Sequence, residues 1–184
     1  MLKSSKIMGL PIISIATGSQ IGMVKDVVFF PTSKKISALI VNVKKLISSS
    51  KAIRIEDVVQ VGKSAVLVAD EKCMFSIDKL PKSPLIKSYQ EELLDTQVYT
   101  DSGINLGVVQ DISFDFELGM LEEIEISDGI VQDLMDGRKI IPVTESMQLE
   151  KGIVIIESKN VHQLKNNGKG LRKLWKRSNK NEKK

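Results

Sequence analysis

Chemically reactive side chains are scarce in this sequence. Its 184 residues include one cysteine, Cys73, and one histidine, His162, and aromatic residues make up only 4% of the chain. A single cysteine excludes an internal disulfide and favours a reducing compartment. Neither residue has the sequence neighbours that a nucleophile or a metal ligand needs. We therefore expect no catalytic, metal or cofactor site, and a protein that is not an enzyme.

Long apolar runs are also missing. No run reaches the roughly 18–20 residues that a membrane-spanning helix requires. Residues 7–16 form the longest apolar stretch near the N-terminus, but Pro11 interrupts it and residues 94–101 repeat it in mid-chain. We interpret it as a first strand rather than a signal peptide. These observations predict a cytoplasmic protein.

The sequence is built on an internal repeat. Residues 15–30 (I-A-T-G-S-Q-I-G-M-V-K-D-V-V-F-F) match residues 100–115 (T-D-S-G-I-N-L-G-V-V-Q-D-I-S-F-D) at an offset of 85. The identical pairs are Gly18/Gly103, Gly22/Gly107, Val24/Val109, Asp26/Asp111 and Phe29/Phe114. Three residues enter the second copy within residues 127–137, and the match then resumes at an offset of 88. Two copies of this length predict two small domains rather than a solenoid.

Each copy carries the signals of short strands. Gly18 and Gly103 follow turn residues between apolar runs, where glycine supplies a positive φ. Gly22 and Gly107 lie inside apolar runs, which indicates a bulge or a close backbone approach. Alternating apolar residues and β-branched runs complete an all-β pattern. We expect a small barrel in each copy, because closure removes exposed sheet edges.

Asp26 and Asp111 occupy the same position in both copies, inside an apolar strand. A carboxylate there is costly unless it accepts hydrogen bonds. We predict that both are structural and accept backbone N–H groups at a turn or bulge.

The motif G-x-x-x-G-x-V-x-D-[VI]-x-F, followed by G-R-K-I-I-P-V at residues 137–143, resembles the PRC-barrel family. The resemblance covers both copies. The arrangement of two copies in one chain is similar to that of tandem PRC-barrel proteins of Gram-positive bacteria. Gly137, Arg138 and Pro142 carry the second part of the motif, which the first copy lacks. The resemblance implies two tandem PRC-type β-barrels that contact other proteins through a barrel face.

Composition divides the chain into four segments. We assign residues 1–70 to the first barrel, 71–89 to a linker containing Pro81 and Pro84, 90–158 to the second barrel, and 159–184 to a basic tail. Residues 1–82 hold 13 Lys/Arg and 6 Asp/Glu, residues 83–158 hold 4 and 16, and residues 159–184 hold 10 and 1. Blocks of opposite charge can steer partners or attract each other.

Two stretches are candidate contact surfaces. One lies in the tail, which is predicted to be largely disordered or to form a short helix. It comprises Leu171, Arg172, Lys173, Leu174, Trp175, Lys176 and Arg177. In the first barrel, Ala38 and Ile40 stand where the second has Glu123 and Glu125, which predicts an exposed apolar stripe. That stripe would pack on the other barrel or on an external partner.

The functional hypothesis is a non-enzymatic cytoplasmic adaptor that binds a protein partner through a barrel face. One alternative is an RNA- or ribosome-associated factor that uses the tail and the first barrel, although basic and aromatic residues are not interleaved. Another is a peripheral membrane protein anchored by the tail. No small-molecule substrate is expected.

Overall fold

The computed structural model of the chain describes residues 1–43, 51–82, 85–150 and 152–166. The strands that begin in the first copy are β1 Leu2–Lys3, β2 Pro11–Ser14, β3 Gln20–Phe29, β4 Ile36–Asn42, β5 Lys51–Arg54, β6 Val58–Val61, β7 Val66–Val68 and β8 Phe75–Ser76. Those that follow are β9 Lys87–Ser88, β10 Gln97–Thr100, β11 Asn105–Asp115, β12 Met120–Ser127, β13 Lys139–Pro142, β14 Gln148–Glu150, β15 Ile153–Ile156 and β16 Lys165–Asn166.

Short helical segments connect the strands. The α-helices are α1 Ser4–Ile7 and α2 Ile130–Asp136. Four 3₁₀ turns span Ile55–Asp57, Glu71–Cys73, Ile77–Lys79 and Ser158–Gln163, and a π-helical turn spans Tyr89–Leu93.

The two copies form two sheets of the same topology. The first runs β6-β7-β2-β3-β4-β5-β8 and the second β14-β15-β10-β11-β12-β13-β16. Each contains one parallel pair, β2 with β7 and β10 with β15, among antiparallel neighbours. Both sheets curl into half-barrels, which confirms the predicted all-β fold of tandem barrels.

The terminal strand of each copy belongs to the sheet of the other. β1, at the start of the first copy, pairs with β11 of the second. β9, which precedes the second copy, pairs with β3 of the first. The exchange is reciprocal, because Leu2 lies opposite Phe114 and Lys87 lies opposite Phe29.

The hairpin loops of the two sheets also meet. Lys35 forms an antiparallel bridge with Met120, its counterpart at the offset of 85. On either side the Ile36 N–H donates to the Gly119 carbonyl and the Leu121 N–H donates to the Lys34 carbonyl, both at 2.8 Å. A pseudo-two-fold axis therefore passes between Lys35 and Met120.

One apolar core runs through both barrels. Equivalent positions are buried alike: Phe29 and Phe114 are fully buried, as are Leu39 and Ile124. Both pairs belong to a single cluster of buried side chains. Small domains bury too little surface to be robust alone, so a shared core compensates for their size.

The expected exposed stripe on the first barrel is wrong. Ala38 is fully buried and Ile40 is 5% exposed. They form a second cluster with Val28, Ala52 and Ile86, against which Phe75, Ile77 and Leu80 pack. The cover comes from the predicted linker, whose strand β8 pairs with β5. The linker thus completes the first barrel.

The two sheets end alike. β16 pairs with β13 as β8 pairs with β5, each after a 3₁₀ turn, so β16, which falls in the segment assigned to the tail, belongs to the second sheet. The segment that carries the three-residue insertion holds the helix α2.

Sheet edges remain open in the described residues, although closure was expected to remove them. β6 and β14 each pair on one side only, with β7 and β15. An edge strand presents unpaired backbone groups that can accept another chain.

Candidate functional site

The repeated glycines lie at positions that need them. Gly18 and Gly103 have φ values of 65° and 82° in open turns. A Cβ on Gly107 would come within 2.0 Å of the Ser127 carbonyl oxygen, and one on Gly22 within 2.4 Å of Val41 Cγ1. The predicted close approaches are confirmed.

Asp111 anchors the terminal segment that crosses from the first copy. Its Oδ1 accepts hydrogen bonds from Ser4 Oγ at 2.6 Å, from the Ser5 N–H at 3.2 Å and from the Ile112 N–H at 2.9 Å. Its Oδ2 accepts from Ser5 Oγ at 2.5 Å. The Ile112 contact lies beside a shift in the β11–β12 register, as predicted. The contacts to Ser4 and Ser5 are an addition that the sequence did not reveal.

Asp26 anchors the crossing segment of the second copy in the same way. Its Oδ1 accepts from the Val27 N–H at 2.7 Å and from the Gln90 N–H at 3.1 Å, and its Oδ2 accepts from Ser88 Oγ. Burial raises the pKa of this carboxyl, although hydrogen bonds from Ser88, Gln90 and Val27 oppose the shift.

Tyr89 links the two anchors. It precedes Gln90 in the chain, and its hydroxyl donates to the Gln110 carbonyl at 3.3 Å, with Asp111 Oδ1 at 3.5 Å. Burial raises the pKa of this phenol to about 12. The aspartates are therefore structural anchors of the strand exchange.

Gly137, Arg138 and Pro142 support the sheet around the inserted helix. Gly137 ends α2 with φ 82°. Arg138 forms ion pairs with Glu125 at 3.4 Å and Asp133 at 3.5 Å. Pro142 lies on β13 beyond the pairing with β16, where no described strand needs its missing N–H.

An open groove follows strand β6, between the two barrels. It measures about 780 Å³ and is lined by β6, by residues 55–56, by Met1 and Leu2, and by residues 114–119. We call it the β6 groove. Val59 lies at the bulge of the β6 edge and is 58% exposed, and Leu118 on the facing loop is 69% exposed. Apolar side chains thus line a strand edge that pairs with no other strand in the described part of the chain.

The counterpart groove beside β14 differs from the β6 groove at the position of Gly119, among others. Lys34, with φ 59°, stands where the second copy has Gly119, with φ 64°. The Lys34 ammonium donates to the carbonyls of Pro31 and Met147, both at 2.5 Å, and its burial lowers the pKa. Lys34 thus links its loop by a hydrogen bond to Met147, the residue before β14. Gly119 has no side chain that could form the equivalent hydrogen bond across the β6 groove.

The charged side chains lining the β6 groove are all acidic: Glu56, Asp115 and Glu117. The counterpart groove is mixed, since Lys34 and Lys87 accompany Glu145 and Glu150. A carboxylate rim repels phosphate and attracts Lys and Arg side chains. The β6 groove therefore suits an apolar, basic polypeptide.

The β6 groove was not predicted from the sequence. Its signal is present, because Gly119 and Lys34 correspond at the offset of 85 and differ in size and charge. The contact between Lys34 and Met147 crosses 113 residues, so only the folded chain shows its consequence.

The other candidates fall elsewhere. Burial raises the pKa of the Cys73 thiol, which disfavours the reactive thiolate. His162 lies in the 3₁₀ turn Ser158–Gln163, whereas the predicted tail contacts at 171–177 lie outside the described residues. Among the residues that the structure describes, no group of three or more His, Cys, Asp or Glu could hold a metal ion, and no helix is long and apolar enough to span a membrane.

Two like half-barrels, joined by exchanged strands and bearing an open apolar groove, define a tandem small-barrel protein. The PRC-barrel domain family matches residues 1–72 and 86–163. The chain therefore belongs to the PRC-barrel family. These domains are generally protein-interaction modules of a non-catalytic, binding type. No curated protein matches the chain.

Proposed function

We propose that this protein is a non-enzymatic cytoplasmic adaptor that binds a protein partner at the β6 groove. The observation that carries the proposal is an exposed apolar pair, Val59 and Leu118, beside the open edge of β6. An extended segment of a partner can add to such an edge through main-chain hydrogen bonds, while side-chain pockets provide specificity.

The acidic rim favours a protein over the alternative partners at this site. Glu56, Asp115 and Glu117 would repel an RNA backbone or an anionic lipid surface. The RNA alternative relies on the basic tail and the first barrel, the membrane alternative relies on the tail, and each becomes an outcome of the same experiment.

The experiment is affinity capture from extracts of the native cells, with nuclease-treated and detergent-treated arms. The variant Val59→Lys/Leu118→Lys changes only exposed side chains of the groove and opposes both its apolar and its acidic character. Leu85→Lys is the matched control, because Leu85 is 67% exposed and lines the counterpart groove. We expect a protein that the wild type and the control retain in every arm and that the groove variant loses.

Other results would redirect the proposal. Capture that disappears with nuclease indicates the RNA-associated role, and capture that disappears with detergent indicates the membrane role. Equal capture by the wild type and the groove variant would overturn the groove as the site.

Truncation of the tail should end at Asn166, because a chain ending at Ser158 would lack β16.

A further inference from the structure

The β6 groove specifies the chemistry of its occupant. Its exposed apolar residues would pack against apolar side chains, and its strand edge would pair with an extended backbone. Its three carboxylates would attract Lys or Arg. A second copy of this surface would bring the same carboxylates and be repelled. The fitting occupant is a short segment in which apolar and basic residues are mixed.

This chain carries such a segment itself. Residues 171–177 read L-R-K-L-W-K-R, so two leucines and the tryptophan stand among four cations. The 26 residues from 159 to 184 hold 10 Lys/Arg and only 1 acidic residue. The tail therefore matches the groove in both charge and hydrophobicity.

The groove is within reach of the tail. Asn166 pairs with Lys139, and Lys139 pairs with Ile126 near the C-terminal end of β12. The N-terminal residue of β12, Met120, lies next to the loop that lines the groove. The 8 residues of β12 span about 26 Å. Trp175 follows Asn166 by nine residues, which extend to about 30 Å. The tail is long enough to return along β12.

We propose that residues 171–177 dock in the β6 groove of their own chain and occupy, in cis, the surface that a partner uses. The inference rests on the proposed function for the identity of the groove. Covalent linkage gives the tail a high effective concentration, so even weak contacts keep it bound until a tighter segment displaces it. The tail is then an internal competitor that sets the affinity threshold for a partner.

Trp175 provides the test, because it is the only tryptophan in the chain. In the full-length protein we expect its emission at shorter wavelength than in the denatured chain, with restricted access to a neutral quencher. Leu118→Lys and Val59→Lys should each shift the emission to longer wavelength and raise quenching towards the denatured value. High salt should act in the same direction, because it screens the tail from the rim.

Leu85→Lys is the matched control and should leave Trp175 unchanged. A wild-type Trp175 as accessible as in the denatured chain would overturn the inference. So would a protected Trp175 that neither groove variant releases, because the tail would then dock elsewhere. The capture experiment is independent: groove variants that lose the partner without moving Trp175 refute the tail docking alone. Groove variants that move Trp175 but keep the partner refute only the groove as the partner's site.

Discussion

Lys35 pairs with Met120, the residue at its own position in the second copy. In a two-fold interface each contact occurs twice with the partners exchanged. Both the exchange of β1 and β9 and the two aspartate anchors follow this rule. The chain is thus an intramolecular counterpart of a symmetric dimer, in which neither barrel is complete without a strand from the other.

Gly107 is the glycine with the least tolerance for a side chain. We expect Gly107→Ala to lower the free energy of unfolding by about 3 kcal/mol or more, because its Cβ would overlap the Ser127 carbonyl at a φ of 123°. Gly103→Ala is the control, because Gly103 has a φ of 82° but a Cβ added there would meet no atom within 4 Å. It should cost roughly 1–2 kcal/mol. Equal losses in chemical denaturation would contradict the close approach.

Asp111→Ala should free the crossing segment of the first copy. The change leaves Ser4, Ser5 and Ile112 without their acceptor, and we expect a loss of about 3 kcal/mol with faster hydrogen exchange in residues 2–7. Asp115→Ala is the control, because Asp115 caps only an exposed turn at Glu117 and Leu118. Exchange that rises equally in both variants would argue against the anchor.

Asp26 should give the protein a pH-dependent stability of defined sign. Its pKa in the folded state is raised above 3.8 by burial, so the folded chain holds this proton more tightly than the unfolded chain. This contribution is complete below the unfolded pKa and is lost as the pH rises through the folded pKa. We therefore expect the stability of the wild type, relative to Asp26→Asn, to fall as the pH rises above about 4.

Asn keeps the shape of the side chain and an oxygen acceptor for Val27 and Gln90, but it does not titrate. Urea denaturation of both proteins at several pH values between 4 and 7 measures the difference. A difference that stays constant, or that changes in favour of the wild type, would show that burial does not raise this pKa.

The first barrel alone should not be a stable monomer. Residues 1–82 lack β9, which leaves Asp26 without Ser88 and Gln90 and leaves β1 without β11. We expect this fragment to be unfolded, or to dimerise by laying its own residues 2–7 over Asp26 of a second copy. Light scattering with circular dichroism distinguishes these states. A folded monomer with a cooperative transition would refute the requirement for exchange.

The end of the second barrel can be located by truncation. Val161 and Leu164 pack against the core, and β16 extends the sheet beyond Ser158. A chain ending at Ser158 should therefore be less stable by roughly 2 kcal/mol than one ending at Asn166. Equal unfolding midpoints would place the boundary at Ser158.

Much of the local structure was predictable because it depends on neighbours in sequence. Alternating apolar residues predicted strands, and Leu39 and Val41, like Ile124 and Ile126, alternate on strands and belong to the shared core. The glycines at 22 and 107 marked close approaches, and the repeated aspartates marked buried acceptors. Apolar periodicity and glycine position are properties of a few adjacent residues, so a sequence displays them directly.

The sequence also misled where a partner was far away in the chain. Ala38 and Ile40 were predicted to form an exposed stripe, but the linker covers them. Its strand β8 pairs with β5.

Two small β-barrels of one pattern, followed by a basic tail, can be read from the sequence because a repeated period and local apolar patterns suffice for that. The exchange of strands between the barrels, the anchoring of those strands by Asp26 and Asp111, and the open β6 groove at Gly119 become visible only in the folded chain. Each of these depends on contacts between residues far apart in the sequence, such as Ser88 with Asp26 and Lys34 with Met147. No local pattern encodes such a contact, because its free energy arises only when the chain brings the two residues together.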